Sequence, residues 1–268
     1  GAPDVELAIL AFDPALGASH DHAAHRIGAH DMRVVIDLDP ARGAGQVKRL
    51  GQPFRAVVRP VLDPAETAAA QVRALGHDPA DVTDIVLTHL DLDHVGGIGD
   101  FAQARVHVHD QELEAALHPG LTEKARYVAE QWAHGPTWVR HREGGDRWFG
   151  LESVTALGDD VVLVPLHGHS RGHCGVAVRR PDDGWLLHAG DSYFFTGEKQ
   201  TPPTCPAALR TFQNVLAQAN RQRKANAERV RELHAAHSDE VTVFSAHDAS
   251  ERAALAAPVA PTDGAPSE

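Results

Sequence analysis

Short apolar runs recur along the chain, and Pro, Gly or Asp stands at most of their boundaries. Runs of four to eight residues rich in Val, Ile and Leu between turn residues predict buried β-strands. We expect strands at 5–12, 33–38, 84–88, 105–109, 161–166, 175–179, 185–189 and 241–245.

Amphipathic segments lie between these runs and predict helices. The first begins at Asp63-Pro64-Ala65-Glu66, where an Asp cap precedes a Pro at the first helical position. We expect this helix to end at Leu75 and others to cover 110–118, 122–134 and 207–237, the last broken near Asn220. The segment 135–150 reads as a loop-rich lid. Strands and helices alternate without a linker, which predicts one α/β domain over 1–255 and a disordered tail over 256–268.

Charge and composition exclude several classes of protein. The 25 basic residues against 37 acidic ones give a net charge of −12, whereas a nucleic-acid binder needs a basic surface. No apolar run is long enough to cross a membrane, and no cationic segment precedes the first one. The two cysteines cannot form a disulfide scaffold. We therefore expect a cytoplasmic protein whose partner is a small molecule, with its oligomeric state open.

Histidine changes this picture, because the chain has 19 of them and histidine is the commonest metal ligand. The densest segment contains His89, Asp91, Asp93 and His94, directly after a predicted strand and before two glycines. Four ligand-type side chains on so short a loop can converge on a divalent cation.

Three later positions repeat this placement. His169, Asp191 and His247 each follow a predicted strand by a few residues. Because α/β proteins bind ligands beyond the carboxyl ends of their strands, we expect these side chains to join the first four. The order of the residues predicts one metal centre at one edge of the sheets.

In this ordered pattern the chain resembles the metallo-β-lactamase-fold hydrolases, over about residues 80–248. The resemblance implies a four-layer αββα sandwich and two divalent metal ions, with zinc favoured and manganese or iron as alternatives. It assigns His89, Asp91 and His169 to the first ion. It assigns Asp93, His94 and His247 to the second, with Asp191 as the bridge.

Asp91 departs from the family pattern, since most of these hydrolases have His at this position. Two ions, three Asp ligands and a bridging hydroxide sum to about zero charge, and His at 91 would leave +1. The carboxylate favours harder cations and weakens the attraction for anionic substrates. Di-iron oxidoreductases of the same fold also carry a carboxylate here, so an iron-dependent oxidoreductase is the alternative function. A metal-binding protein without turnover is a third.

The resemblance implies hydrolysis of an ester-like bond by a metal-bridging hydroxide, with a lactone ring, as in the acyl-homoserine lactonases, as the substrate. Asp93 would pass a proton to the leaving group. Tyr193 would either hydrogen-bond the substrate carbonyl or serve only in packing. Apolar pocket walls could come from these side chains: Phe194, Phe195, Trp132, Trp138 and Trp148.

The remaining histidines receive no ligand role. We expect His173 to support a ligand by hydrogen bonding, and His107 and His109 to share an exposed strand face. An N-terminal cluster reads as a surface loop and comprises His20, His22, His25 and His30.

Overall fold

The computed structural model describes residues 65, 67–180 and 184–256, together with the backbone of two earlier strands. The strands are β1 (Glu6–Ile9), β2 (Met32–Ile36), β3 (Asp84–Val86), β4 (Arg105–His109), β5 (Thr137–His141), β6 (Asp146–Trp148), β7 (Leu151–Leu157), β8 (Val161–Pro165), β9 (Cys174–Arg179), β10 (Trp185–His188) and β11 (Val241–Phe244). The α-helices are α1 (Ala68–Ala74), α2 (Asp110–Leu117), α3 (Ala207–Leu216), α4 (Asn220–His237) and α5 (Ala249–Ala256).

The strands form two sheets that follow each other along the chain. The first sheet has the order β1-β2-β3-β4-β5, and all its neighbours are parallel. The second has the order β11-β10-β9-β8-β7-β6, in which only β10 and β11 pair in parallel. In the second sheet β8, β10 and β11 therefore all point the same way.

Alternation of side chains along the strands builds three apolar layers. The first packs α1 and α2 on one sheet and includes Val72, Ile85, Val106 and Leu113. The middle layer joins Val86 of the first sheet to the second sheet through Leu163, Val176, Leu186 and Phe244. The third packs α4 on the far face and includes Val164, Leu187, Val230 and Leu233. The predicted helix–sheet–sheet–helix sandwich is confirmed.

Two segment predictions are wrong. The segment 122–134 is a series of turns with a short 3-10 helix at Ala129–Trp132 rather than an α-helix. Its backbone and side chains bond Leu92 instead, since Arg126 O accepts from Leu92 N and Gln131 Nε2 donates to Leu92 O. The segment 135–150 contains strands β5 and β6 rather than a loop-rich lid.

The exposed strand face predicted for β4 is also wrong. His107 and His109 are 3% and 1% exposed, because β5 pairs with β4 and side chains of β5 and the loop after it pack against them: His141 against His107, and Glu143 against His109. His107 bonds Asp84 Oδ1 at 2.8 Å and His141 at 3.0 Å.

The N-terminal histidine cluster and residues 257–268 lie outside the described residues. Within the described part of the chain, Cys174 and Cys205 are both free thiols. No helix in that part is both long and apolar enough to span a bilayer.

Candidate metal centre

Four strand ends meet at one end of the sandwich. The loop after β3 brings four side chains from the first sheet, and β8, β10 and β11 lead into one each from the second. The structure thus gathers all seven predicted ligand residues into overlapping groups of donor atoms, within 4.8 Å of one another in each group: His89, Asp91, Asp93, His94, His169, Asp191 and His247.

One side of the centre consists of His89, Asp91 and His169. Asp91 Oδ2 lies 3.0 Å from His169 Nε2 and 3.6 Å from His89 Nε2. Thr88 Oγ1 lies 2.9 Å from His89 Nδ1, which holds the ring so that Nε2 faces the centre. This grouping matches the residues that the resemblance assigned to the first ion.

The other side consists of Asp93, His94 and His247, again the grouping that was assigned to one ion. Asp191 lies between the two sides. Its Oδ1 is 3.3 Å from His94 Nε2, and its Oδ2 is 3.0 Å from His247 Nε2 and 3.3 Å from His169 Nε2. One carboxylate thus contacts ligand-type side chains of both groups, as a bridging residue must.

Buried atoms without hydrogen-bond partners show that the donor set fits metal ions. His89 Nε2, Asp91 Oδ1 and Asp191 Oδ1 are all buried, and none of them makes a hydrogen bond. Such orphaned atoms are rare and costly in folded proteins. Imidazole and carboxylate donors are those that zinc and its neighbours prefer, so divalent ions at this centre would satisfy these atoms.

Two of the acidic side chains, Asp91 and Asp191, are held ionised. Burial works to raise the pKa of Asp191, but His247, His94 and His169 outweigh it and hold that pKa well below its usual range. Burial likewise opposes ionisation of Asp91, and the guanidinium of Arg126 is the first of the groups that lower its pKa well below normal.

Arg126 contacts the centre directly, and sequence reasoning missed it. Its Nη1 donates to Asp91 Oδ2 at 2.5 Å, and its Nη2 donates to Leu216 O. The Asp91 and Arg126 side chains are only 13% and 10% exposed, so the contact is a largely buried ion pair. The +1 of Arg126 offsets the extra negative charge that Asp91 brings in place of a neutral histidine.

Glu112 is a second residue that the sequence did not reveal. It is fully buried at the start of α2. Its two oxygens accept hydrogen bonds from both metal-site loops, which are the loop after β3 and the loop after β8. Oε1 accepts from Leu90 N and Tyr127 OH, and Oε2 accepts from Ser170 Oγ and Gly172 N, at 2.7 to 3.2 Å. An acidic residue in a first helical turn is ordinary, so no sequence signal marked it.

His173 supports the centre as expected. Its Nδ1 donates to Leu166 O, which leaves Nε2 to accept from Asp191 N at 2.8 Å. Gly190 makes this contact possible, because it has a φ of +53° and a Cβ there would come within 2.5 Å of His173 Nε2.

Tyr193 lies in a different cluster from the ligands. It is 1% exposed, and its hydroxyl donates to Glu251, whose two oxygens are 3.1 and 3.0 Å away. The hydroxyl proton is thus donated to Glu251 of α5, an arrangement that favours the packing alternative, and contact of Tyr193 with a substrate carbonyl stays a prediction.

Of the predicted wall residues, Phe194 lies at the centre, with its ring 4.4 Å from that of His247 and 6.0 Å from that of His169. Trp132 and Trp138 pack in the first apolar layer, and Trp148 packs in the third. The tryptophans therefore belong to the core.

The chain belongs to the metallo-beta-lactamase superfamily, whose family model matches residues 57–242. It is 43% identical over 201 residues to a probable metallo-hydrolase of Mycobacterium tuberculosis, a match that covers 73% of this chain and 64% of the relative. It is 35% identical over 136 residues to the N-acyl homoserine lactonase AttM of Azorhizobium caulinodans, covering 50% of each protein.

The fold is also similar to that of solved lactonase structures. An N-acyl homoserine lactone hydrolase with N-hexanoyl-L-homoserine at its metal centre aligns with a TM-score of 0.60 and 18% identity, over 82% of this chain and 78% of that one. A dizinc quorum-quenching lactonase with a bound product aligns with a TM-score of 0.53 and 13% identity, over 80% of this chain and 68% of that one. At these identities the likeness shows the fold alone.

Proposed function

We propose that the protein is a dinuclear metal-dependent hydrolase that opens a lactone ring. The observation that carries the proposal is the meeting of seven ligand-type side chains around the shared carboxylate of Asp191. Two divalent ions held there, with zinc favoured, would supply an activated water near neutral pH and positive charge beside the reacting carbonyl.

The chain's own residues would orient and charge this site. The Asp191 carboxylate contacts both histidine groups and fixes their separation. Asp93 is half-buried beside His94 and His247, where its carboxylate can take up a proton and deliver it to the departing oxygen. Arg126 restores positive charge next to Asp91, which keeps a developing negative charge on the substrate favourable.

Apolar side chains beside the centre favour a substrate with an apolar arm. Phe194 packs on His247, and Phe212 of α3 lies 6.3 Å from Phe194, ring centre to ring centre. Phe212 is 39% exposed, and the next turn of α3 exposes Val215 and Leu216 as well. An acyl chain fits such a surface, and relatives named as N-acyl homoserine lactonases act on substrates of this kind.

The experiment is a substrate panel of an acyl-homoserine lactone, its open-chain methyl ester and a phosphotriester. We expect chelation to abolish lactone hydrolysis and added zinc or manganese to restore it. Asp191→Ala should lose more than 100-fold in kcat/KM, about 2.7 kcal/mol. Lactone hydrolysis that survives both chelation and Asp191→Ala would refute the proposal, and preference for the phosphotriester would refute the substrate.

An iron-dependent oxidoreductase is the second candidate. The carboxylate at Asp91 motivated it, but the ion pair with Arg126 removes the extra negative charge that would have favoured iron. Visible absorbance and oxygen-dependent turnover of the iron-loaded protein would favour this candidate. Tight metal binding with no turnover on any substrate would instead favour a non-catalytic role.

A further inference from the structure

A second cluster of ligand-type side chains lies apart from the seven residues of the proposed centre. His109 ends β4, Glu143 lies between β5 and β6, and His167 lies in the loop after β8. Glu143 Oε2 is 3.1 Å from His109 Nε2, and Glu143 Oε1 is 3.0 Å from His167 Nε2. One donor atom from each of the three residues can be chosen so that all three atoms lie within 4.8 Å of one another. Two imidazoles and one carboxylate are a donor set that zinc uses in proteins.

The orientation of His109 favours an ion rather than a hydrogen bond. His109 is 1% exposed, and its Nε2 makes no hydrogen bond although a carboxylate oxygen is 3.1 Å away. The ring nitrogen therefore points beside the oxygen and not at it, as two ligands of one ion do.

The proton of His167 points to the same conclusion. Its Nδ1 is 3.1 Å from His173 O, which can only accept, so Nδ1 carries the proton. Nε2 lies 3.0 Å from Glu143 Oε1, and a cation between the two atoms would be bound by both of them when Nε2 presents its lone pair. His109 Nδ1 accepts a long bond of 3.3 Å from Gln111 N, which must be given up when Nε2 binds an ion.

We propose that His109, Glu143 and His167 form a transition-metal site separate from the dinuclear centre, for zinc or another borderline divalent ion. The Glu143 side chain is 31% exposed, so water can complete the coordination. The ion would fasten the connection between β5 and β6 to the start of α2 and to the loop that carries His169. The site stands on its own donor atoms and does not depend on the proposed function.

The test counts zinc ions per chain after stripping, reloading with zinc alone and desalting. Glu143→Gln is expected to hold one ion fewer than the wild type. Glu152→Gln, the same change at an exposed position of β7, should hold the wild-type number. The comparison cancels ions bound by the dinuclear centre or the N-terminal histidines. Equal zinc contents of the wild type and Glu143→Gln would overturn the proposal.

A second variant separates ligation from indirect effects on folding. Glu143→His supplies a nitrogen donor at the same position and is expected to regain the ion that Glu143→Gln loses. If Glu143→His holds no more zinc than Glu143→Gln, direct ligation by residue 143 is refuted.

Discussion

Asp91 and Arg126 act as a unit although 35 positions separate them. The sequence revealed the Asp91 carboxylate because it lies in the motif from His89 to His94, so its negative charge could be included in the net charge of the centre. The guanidinium of Arg126 lies in a segment predicted as a helix, and nothing in the pattern of that segment indicated a contact with Asp91. The charge of the centre therefore could not be derived from the motif alone.

Replacing Arg126 by methionine is expected to destabilise the metal-free protein and to enlarge the stabilisation by added zinc. The change leaves the Asp91 carboxylate buried without a counter-charge, at a cost of about 3 kcal/mol, and a bound cation supplies that charge. The gap in unfolding temperature between zinc-loaded and chelated protein should widen by roughly 6–12 °C. Arg126→Lys should keep a near-normal gap, and an unchanged gap in Arg126→Met would argue against the pairing.

Gly190 and Gly158 form a matched pair for testing how Asp191 is positioned. Their φ angles are +53° and +52°, but a Cβ at Gly158 meets nothing within 4 Å, whereas one at Gly190 meets His173. Backbone strain should lower the free energy of unfolding of both alanine variants by about 1–2 kcal/mol. Gly190→Ala should lose further stability and zinc affinity, as measured by denaturant unfolding and zinc titration. Equal effects of the two variants would show that the His173 contact is unimportant.

Among the elements, those with strong local patterns were predicted well. The strand Arg105–His109 and the break between α3 and α4 are found as expected. Strand β7 was missed because its sequence mixes Glu, Ser and Thr with apolar residues. Long-range bonds to Leu92 hold the segment 122–134 in turns, and such bonds override local helix propensity.

The first turn of α2 is expected to control the order of both metal-site loops. Glu112→Gln replaces one accepting oxygen by an NH₂ group that faces N–H and O–H donors, which costs about 2 kcal/mol. Hydrogen exchange at the amides of Leu90 and Gly172 should therefore accelerate about 30-fold, the equivalent of that energy. Glu114→Gln, on the exposed side of α2, is the control, and unchanged exchange in Glu112→Gln would contradict this role.

At the scale of the whole molecule, the proposed centre joins the two sheets. Its ligands come from β3 in one sheet and from β8, β10 and β11 in the other. The order of ligands along the sequence predicted the meeting of these strand ends, and the family resemblance carried by that order implied the sandwich. The total of 19 histidines was less informative, since His107 and His109 belong to buried clusters elsewhere.

Metal removal is therefore expected to weaken the whole sandwich as well as abolish the proposed hydrolysis. An ion at 1,000 times its Kd stabilises the folded state by about 4.1 kcal/mol. Chelation should lower the unfolding temperature by roughly 8–16 °C. The Asp191→Ala variant should respond much less to the chelator. Equal responses of the two proteins would place the stabilising ions elsewhere.

The most direct test of the metal centre is anomalous scattering at the zinc absorption edge from a zinc-loaded crystal. At this centre we predict two peaks about 3.5–4 Å apart, on either side of the Asp191 carboxylate and surrounded by the other six ligand residues. No peak beside Asp191, or a peak there whose neighbours exclude His89, His94, His169 and His247, would contradict the account.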